Sequence, residues 1–119
     1  MRSFIAVNLK ATGFHNWGAA PKEVQFLGST HRHTFHIRVK VIVGHDDREV
    51  EFTMLKRVIE FYLEKAYHRV FDGFDFGGNS CEMLSRRLFD YLLGQDYAVL
   101  EVSFSEDGEF EGGVCSQEN

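Results

Sequence analysis

No stretch of this sequence stays apolar long enough to span a bilayer, so a membrane-spanning helix is excluded. Cysteine is scarce: the two thiols, Cys81 and Cys115, have no CxxC spacing, which argues against a disulfide scaffold or a thiolate metal knot and leaves both expected as free thiols. With one proline and no Gly/Ser-rich run, the chain has no linker, repeat or low-complexity segment, and residues 1–119 read as a single domain. Cations are in the minority, 13 Lys and Arg against 18 Asp and Glu, and a net charge of -5 opposes a general binder of nucleic-acid backbone while leaving room for a local anion pocket. The opening "MRSFIAVNLKATGF" alternates apolar and polar residues and has no apolar block before a cleavage site, so it is expected as a first strand in a cytoplasmic protein. A core drawn from 119 residues is adequate but small, and assembly into a homo-oligomer would extend it.

The alternation predicts two long strands, one through Ile5, Val7 and Leu9 and one through Phe35, Ile37, Val39, Val41 and Val43, on either side of a polar stretch at 13–30. Turn residues Gly44, Asp46 and Asp47 then give way to helical spacing, with Phe52, Leu55, Val58 or Ile59, Tyr62 and Ala66 on one stripe, predicting a helix from Phe52 to about residue 70. "FDGFDFGG" reads as a loop leading to Asn79, which with Glu82 forms a capping box for a second helix ending at Gly94. Alternation returns through Ala98, Leu100, Val102 and Phe104, and "DGEFEGGV" supplies a turn and a short last strand. The order is ββααββ, an α+β class with both helices on one face of an antiparallel sheet.

Three of the six histidines lie in "LGSTHRHTFHIRV", residues 27–39, where polar sequence turns into strand. Side chains alternate on a strand, so His31 and His33 project from one face, about 7 Å apart, and His36 from the other. That spacing suits joint ligation of one metal ion, and His15 can join if the first two strands pair. Three imidazoles would leave a tetrahedral zinc one open position. Taken alone, the HxH pair favours surface histidines in a polar loop over a metal site, because short histidine motifs recur without one.

"FH" at 14–15, "HRH" at 31–33 followed by "TFHIRVKV", "VEFTMLK" at 50–56, "NSCEML" at 79–84 and "VSFSED" at 102–107 stand in the order of the landmarks of one family. From about residue 4 to 114 the chain resembles the 6-pyruvoyl-tetrahydropterin synthase and 6-carboxytetrahydropterin synthase family. The resemblance implies the tunnelling fold, zinc held by His15, His31 and His33, a substrate side carrying Glu106 and Ser80, and a closed trimer or hexamer with pockets between neighbours. Glu106 would anchor the amino-pyrimidine edge of a pterin, a sensible role because a carboxylate accepts two parallel hydrogen bonds from adjacent N–H groups.

The departures fall on proton transfer. Leu27 occupies the place of the family's catalytic cysteine, and Gly73 follows Asp72 where the family has histidine. Asp72 and His68 are the candidate catalytic residues, with His36 and Glu23 as further acid/base candidates, and only geometry chooses among them. The expectation is a divergent zinc-dependent pterin lyase or synthase acting on a dihydroneopterin triphosphate-like, pterin or purine compound. The alternative is a protein that sequesters such a ligand without converting it.

Overall fold

Two thirteen-residue strands, β1 (Ser3–His15) and β2 (His31–Val43), form the centre of the sheet and pair along their whole length, from Ser3 opposite Val43 to His15 opposite His31. The structure, a computed structural model, describes residues 1–117. After β2 come helix α1 (Phe52–Ala66), strands β3 (Arg69–Val70) and β4 (Gly73–Gly77), helix α2 (Cys81–Gly94), and strands β5 (Val99–Glu106) and β6 (Phe110–Cys115). The six strands lie in the order β3-β4-β1-β2-β5-β6.

Alternation fixes the register. Phe35, Ile37, Val39 and Val41 point to one face of β2 and are all fully buried, packed in one cluster with Leu55 and Ile59 of α1 and Leu84, Leu88 and Leu92 of α2. A one-residue slip would turn those four side chains to the other face, forfeiting roughly 6–12 kcal/mol of burial at about 1.5–3 kcal/mol each.

The α+β class holds, but the two helices are separated by strands β3 and β4 rather than consecutive, and four local expectations are corrected. The sheet is mixed, because β4 runs parallel to β1, with Gly13 opposite Phe74 and Phe14 opposite Asp75. The stretch read as a loop is therefore a strand, and its signal was weak because it is short, glycine-rich and paired with a strand some sixty residues away in sequence. Helix α1 ends at Ala66, where Tyr67 turns to extended backbone and the chain enters the β3–β4 hairpin. At α2 the cap is Ser80, whose Oγ accepts from the Met83 amide at 3.1 Å, while Asn79 donates its side-chain amide to the Phe76 carbonyl. Glu82 does not complete a capping box; its carboxylate lies against Gly112 of β6.

Two glycines on the inner path are demanded by packing. A Cβ on Gly13 would stand 2.3 Å from the Phe76 ring and 2.8 Å from the Phe35 ring, and one on Gly73 would stand 2.4 Å from the Thr12 carbonyl oxygen. Gly94, by contrast, ends α2 in open space. Gly13→Ala is expected to destabilise the fold by about 1–3 kcal/mol through overpacking, whereas Gly94→Ala should leave it unchanged or slightly stabilised; thermal unfolding of the two variants checks the contrast, and an unchanged midpoint in Gly13→Ala would contradict it.

Candidate metal centre

The inward row of the central strands changes character at one end of the sheet. Along β2 it passes from aliphatic residues to Phe35 and then to His33 and His31; on β1 it reaches His15, directly opposite His31. The three imidazoles meet edge to face, with ring centroids 4.6 Å apart for His15 and His31, 5.0 Å for His31 and His33, and 5.3 Å for His15 and His33. One ring nitrogen from each lies within 4.8 Å of the other two. Beneath them the fully buried Phe35 ring presents its edge or face to His15 and His33. His36 leaves the opposite face, as the alternation requires.

Each imidazole is held by its Nδ1. That of His15 lies 3.1 Å from the Asn79 carbonyl, that of His31 2.8 Å from the Ser29 carbonyl, and that of His33 2.6 Å from a carboxylate oxygen of Asp107. Carbonyl oxygens only accept, so in His15 and His31 Nδ1 carries the proton and donates it, leaving Nε2 a free lone pair. A carboxylate on His33 Nδ1 favours the same tautomer. Burial lowers the His15 pKa, against the raising effects of the Asn79 carbonyl and the Glu106 charge, and so keeps that ring neutral. Neutral imidazole with an anchored Nδ1 is the form that binds a metal through Nε2.

Asp107 is built for its position. It lies in the β5–β6 turn with φ 55°, a left-handed conformation that aspartate tolerates, and is tied to β2 by its amide to the Thr34 carbonyl and by its Oδ1 accepting from the Thr34 amide. The hydrogen bond to His33, followed by that from Thr34, holds its carboxyl below the usual carboxylate range.

The fourth group over the cluster is Glu106, at the end of β5 opposite Phe35 and so on the same inner face. One carboxylate oxygen stands 3.1 Å from His15 Nε2, the other 3.7 Å from His33 Nε2. Among the described residues His15 Nε2 is nevertheless a buried nitrogen without a hydrogen bond. An orphaned buried nitrogen, three imidazoles of one tautomer and an adjacent carboxylate form the donor set that a zinc ion takes.

The cluster forms one end of a pocket of about 450 Å³, within the range of small-molecule sites. Trp17, Leu27, Met83 and Phe110 give it apolar walls; Ser80, Glu82, Glu106 and Glu111 give it polar ones, and among the described residues no Lys or Arg lines it. Leu27, at the end of a short 3-10 segment (Lys22–Gly28), is brought beside Trp17 by the Trp17 amide donating to its carbonyl at 2.7 Å. Ser80 thus caps α2 and lines the pocket at once.

The structure separates the remaining sequence candidates from the cluster. Asp72 is exposed and accepts from Arg32 at 3.0 Å, on a residue that alternation turns away from His31 and His33. His68 is exposed beyond the end of α1, and Glu23 is exposed in the 3-10 segment. None of Asp72, His68, Glu23 or His36 lines the pocket. Gly73 has no room for a side chain against Thr12, so the pairing of β4 with β1 itself excludes a histidine there. The residues not foreseen are Asp107 and the backbone carbonyls of Ser29 and Asn79. Asp107 had a signal in its Asp-Gly turn beside a strand end, whereas a carbonyl's direction has none.

Cys81 lines the pocket 3.9 Å from Glu106, and burial, reinforced by that carboxylate, pushes its thiol up to about 12. Cys115 is exposed on β6. At pH 8 a thiol alkylator is therefore expected to modify Cys115 and spare Cys81 until the protein unfolds, since the thiolate is the reactive form. Peptide mapping checks this; fast native labelling of Cys81 would contradict it.

No family model matches this chain, and no curated protein matches it at a significant level. Among solved structures, the crystal structure of an uncharacterized protein from Wolinella succinogenes is similar, with a TM-score of 0.74 at 11% sequence identity over 98% of this chain and 99% of the other. The two share the fold, a likeness that names no activity.

Proposed function

We propose that this chain is a zinc-binding, tunnelling-fold relative of the 6-pyruvoyl-tetrahydropterin synthases that holds a pterin or purine ring in the pocket beside its histidines. The observation that carries the reading is the anchoring of Nδ1 in His15, His31 and His33, which leaves Nε2 of each for a common ion. Bound there, zinc would supply Lewis-acid polarisation of a ligand carbonyl or hydroxyl. Glu106 accepts the paired N–H groups of a guanine-like edge, while Trp17 and Phe110 offer faces for the ring.

Two observations favour holding over conversion of the family's substrate. Leu27 and Gly73 cannot transfer a proton, and each positioned acid or base is worth on the order of 10² to 10⁴ in rate. A pocket with Glu82, Glu106 and Glu111 and no lining cation also disfavours a triphosphate. An unphosphorylated ring rich in N–H donors fits better. The ends of the sheet, the two-residue β3 and the β6 strand with its exposed Phe110, are unpaired edges that a closed homo-oligomer, a trimer or hexamer, would cover.

Protein expressed with zinc should carry one ion per chain, lose it in a His31→Ala/His33→Ala double variant, and bind it about 10–100-fold more weakly in Asp107→Ala, whose imidazole loses its anchor. The loaded protein should bind guanine or a pterin in titration calorimetry and turn over dihydroneopterin triphosphate weakly or not at all. A zinc-free wild type would refute the metal, and turnover at a rate ordinary for the family would refute the reading of Leu27 and Gly73.

A further inference from the structure

We propose that the outer face of the sheet binds a short polyphosphate anion across Lys10, His36 and Arg38, at a site separate from the histidine pocket and independent of its metal. The alternation that turns His33, Phe35 and Ile37 inward turns His36 and Arg38 outward along β2. Lys10 of β1 stands directly opposite His36, and Asn8 opposite Arg38. On the other flank Ser105 and Ser103 of β5 face the same two residues. The core and the buried sides of both helices lie on the other face, so this one is left open.

Opposed and diagonal neighbours on one sheet face lie about 4.5–8 Å apart, close enough for these side chains to converge on one anion, and like charges so placed destabilise a sheet. A carboxylate at position 8, 103 or 105 would relieve that repulsion, yet those positions hold Asn8, Ser103 and Ser105. Among the described residues Lys10 and Arg38 enter no ion pair, in a chain with 18 acidic residues against 13 basic ones. The nearby acids are engaged elsewhere: Asp72 by Arg32, Asp107 by His33 and Thr34, Glu111 by Ser103. Arg38 offers a fork that matches a phosphate, Lys10 a point charge, and His36, Ser105 and Asn8 neutral donors. A groove of about 230 Å³ adjoins Asn8, with Lys56 of α1 on its wall, and gives room for a further phosphate. The anion is short, because Glu101 opposite Lys40 and Glu111 opposite Ser105 close the cationic stretch, and a long phosphate backbone would meet those carboxylates.

Titration of the full chain with inorganic triphosphate, followed by amide and imidazole NMR shifts, tests the site. Saturable shifts are expected around Lys10, His36 and Arg38 and not at His15, His31 or His33. Lys10→Gln and Arg38→Gln, each first checked for a native circular dichroism spectrum, should each weaken binding about threefold or more. Lys22→Gln, which removes the same charge from the exposed 3-10 segment, should leave it unchanged. Lys10 is exposed, so a folding defect confined to Arg38→Gln leaves the test standing. A nucleoside triphosphate that shifts the same residues with the same affinity supports recognition of the phosphate chain itself. No saturable shift at millimolar triphosphate, shifts centred on the three pocket histidines, or equal weakening by Lys22→Gln would each overturn the proposal. Tighter binding of a single-stranded oligonucleotide at this face would overturn the assignment to a short anion. None of these outcomes bears on zinc or on the pterin-type ring, whose tests are separate.

Discussion

The thirteen-rung pairing of β1 with β2 is the constraint on which the rest depends. It is held by the buried row Phe35, Ile37, Val39 and Val41, and its register delivers His15 opposite His31 and His33 opposite Gly13 at the end of the same row. The core therefore aims the imidazoles. Gly13 completes the arrangement by admitting the Phe76 ring against Phe35, and Phe35 in turn supports His15 and His33. Stability and site share one set of contacts here, so a change that loosens the aromatic layer also disperses the cluster.

The second layer is electrostatic. Glu106 stands over the histidines, Glu82 and Glu111 line the same pocket, and Asp107 supports His33 from behind. Among the described residues no lysine or arginine lines the pocket to balance these carboxylates. A divalent cation at the histidines would offset part of that charge, whereas a phosphate would add to it. Glu111 is partly committed already, accepting from Ser103 at 2.7 Å, and of the carboxylates lining the pocket it is Glu106 that stands beside Nε2 of His15 and His33.

Much of this was legible in the sequence because it rests on period-two alternation. The two long strands, the shared face of His31 and His33 and the opposite face of His36 follow from that rule, and the approach of His15 from the pairing of the two strands. Strand β4 was not legible, since a five-residue, glycine-bounded segment pairing in parallel with a distant strand has little local signal. Nor was the supporting shell, because two of its three members are backbone carbonyls whose direction depends on loops at Ser29 and Asn79. Asp72 and His68 were singled out by position along the chain, and the fold disperses them: the first is drawn to Arg32, and the second is left exposed past the early end of α1.

Zinc K-edge X-ray absorption on the loaded protein tests the centre most directly. Three imidazole nitrogens at about 2.0–2.1 Å, with no sulfur scatterer, are expected from the clustering of His15, His31 and His33. A sulfur shell at about 2.3 Å, or fewer than three imidazoles, would contradict it.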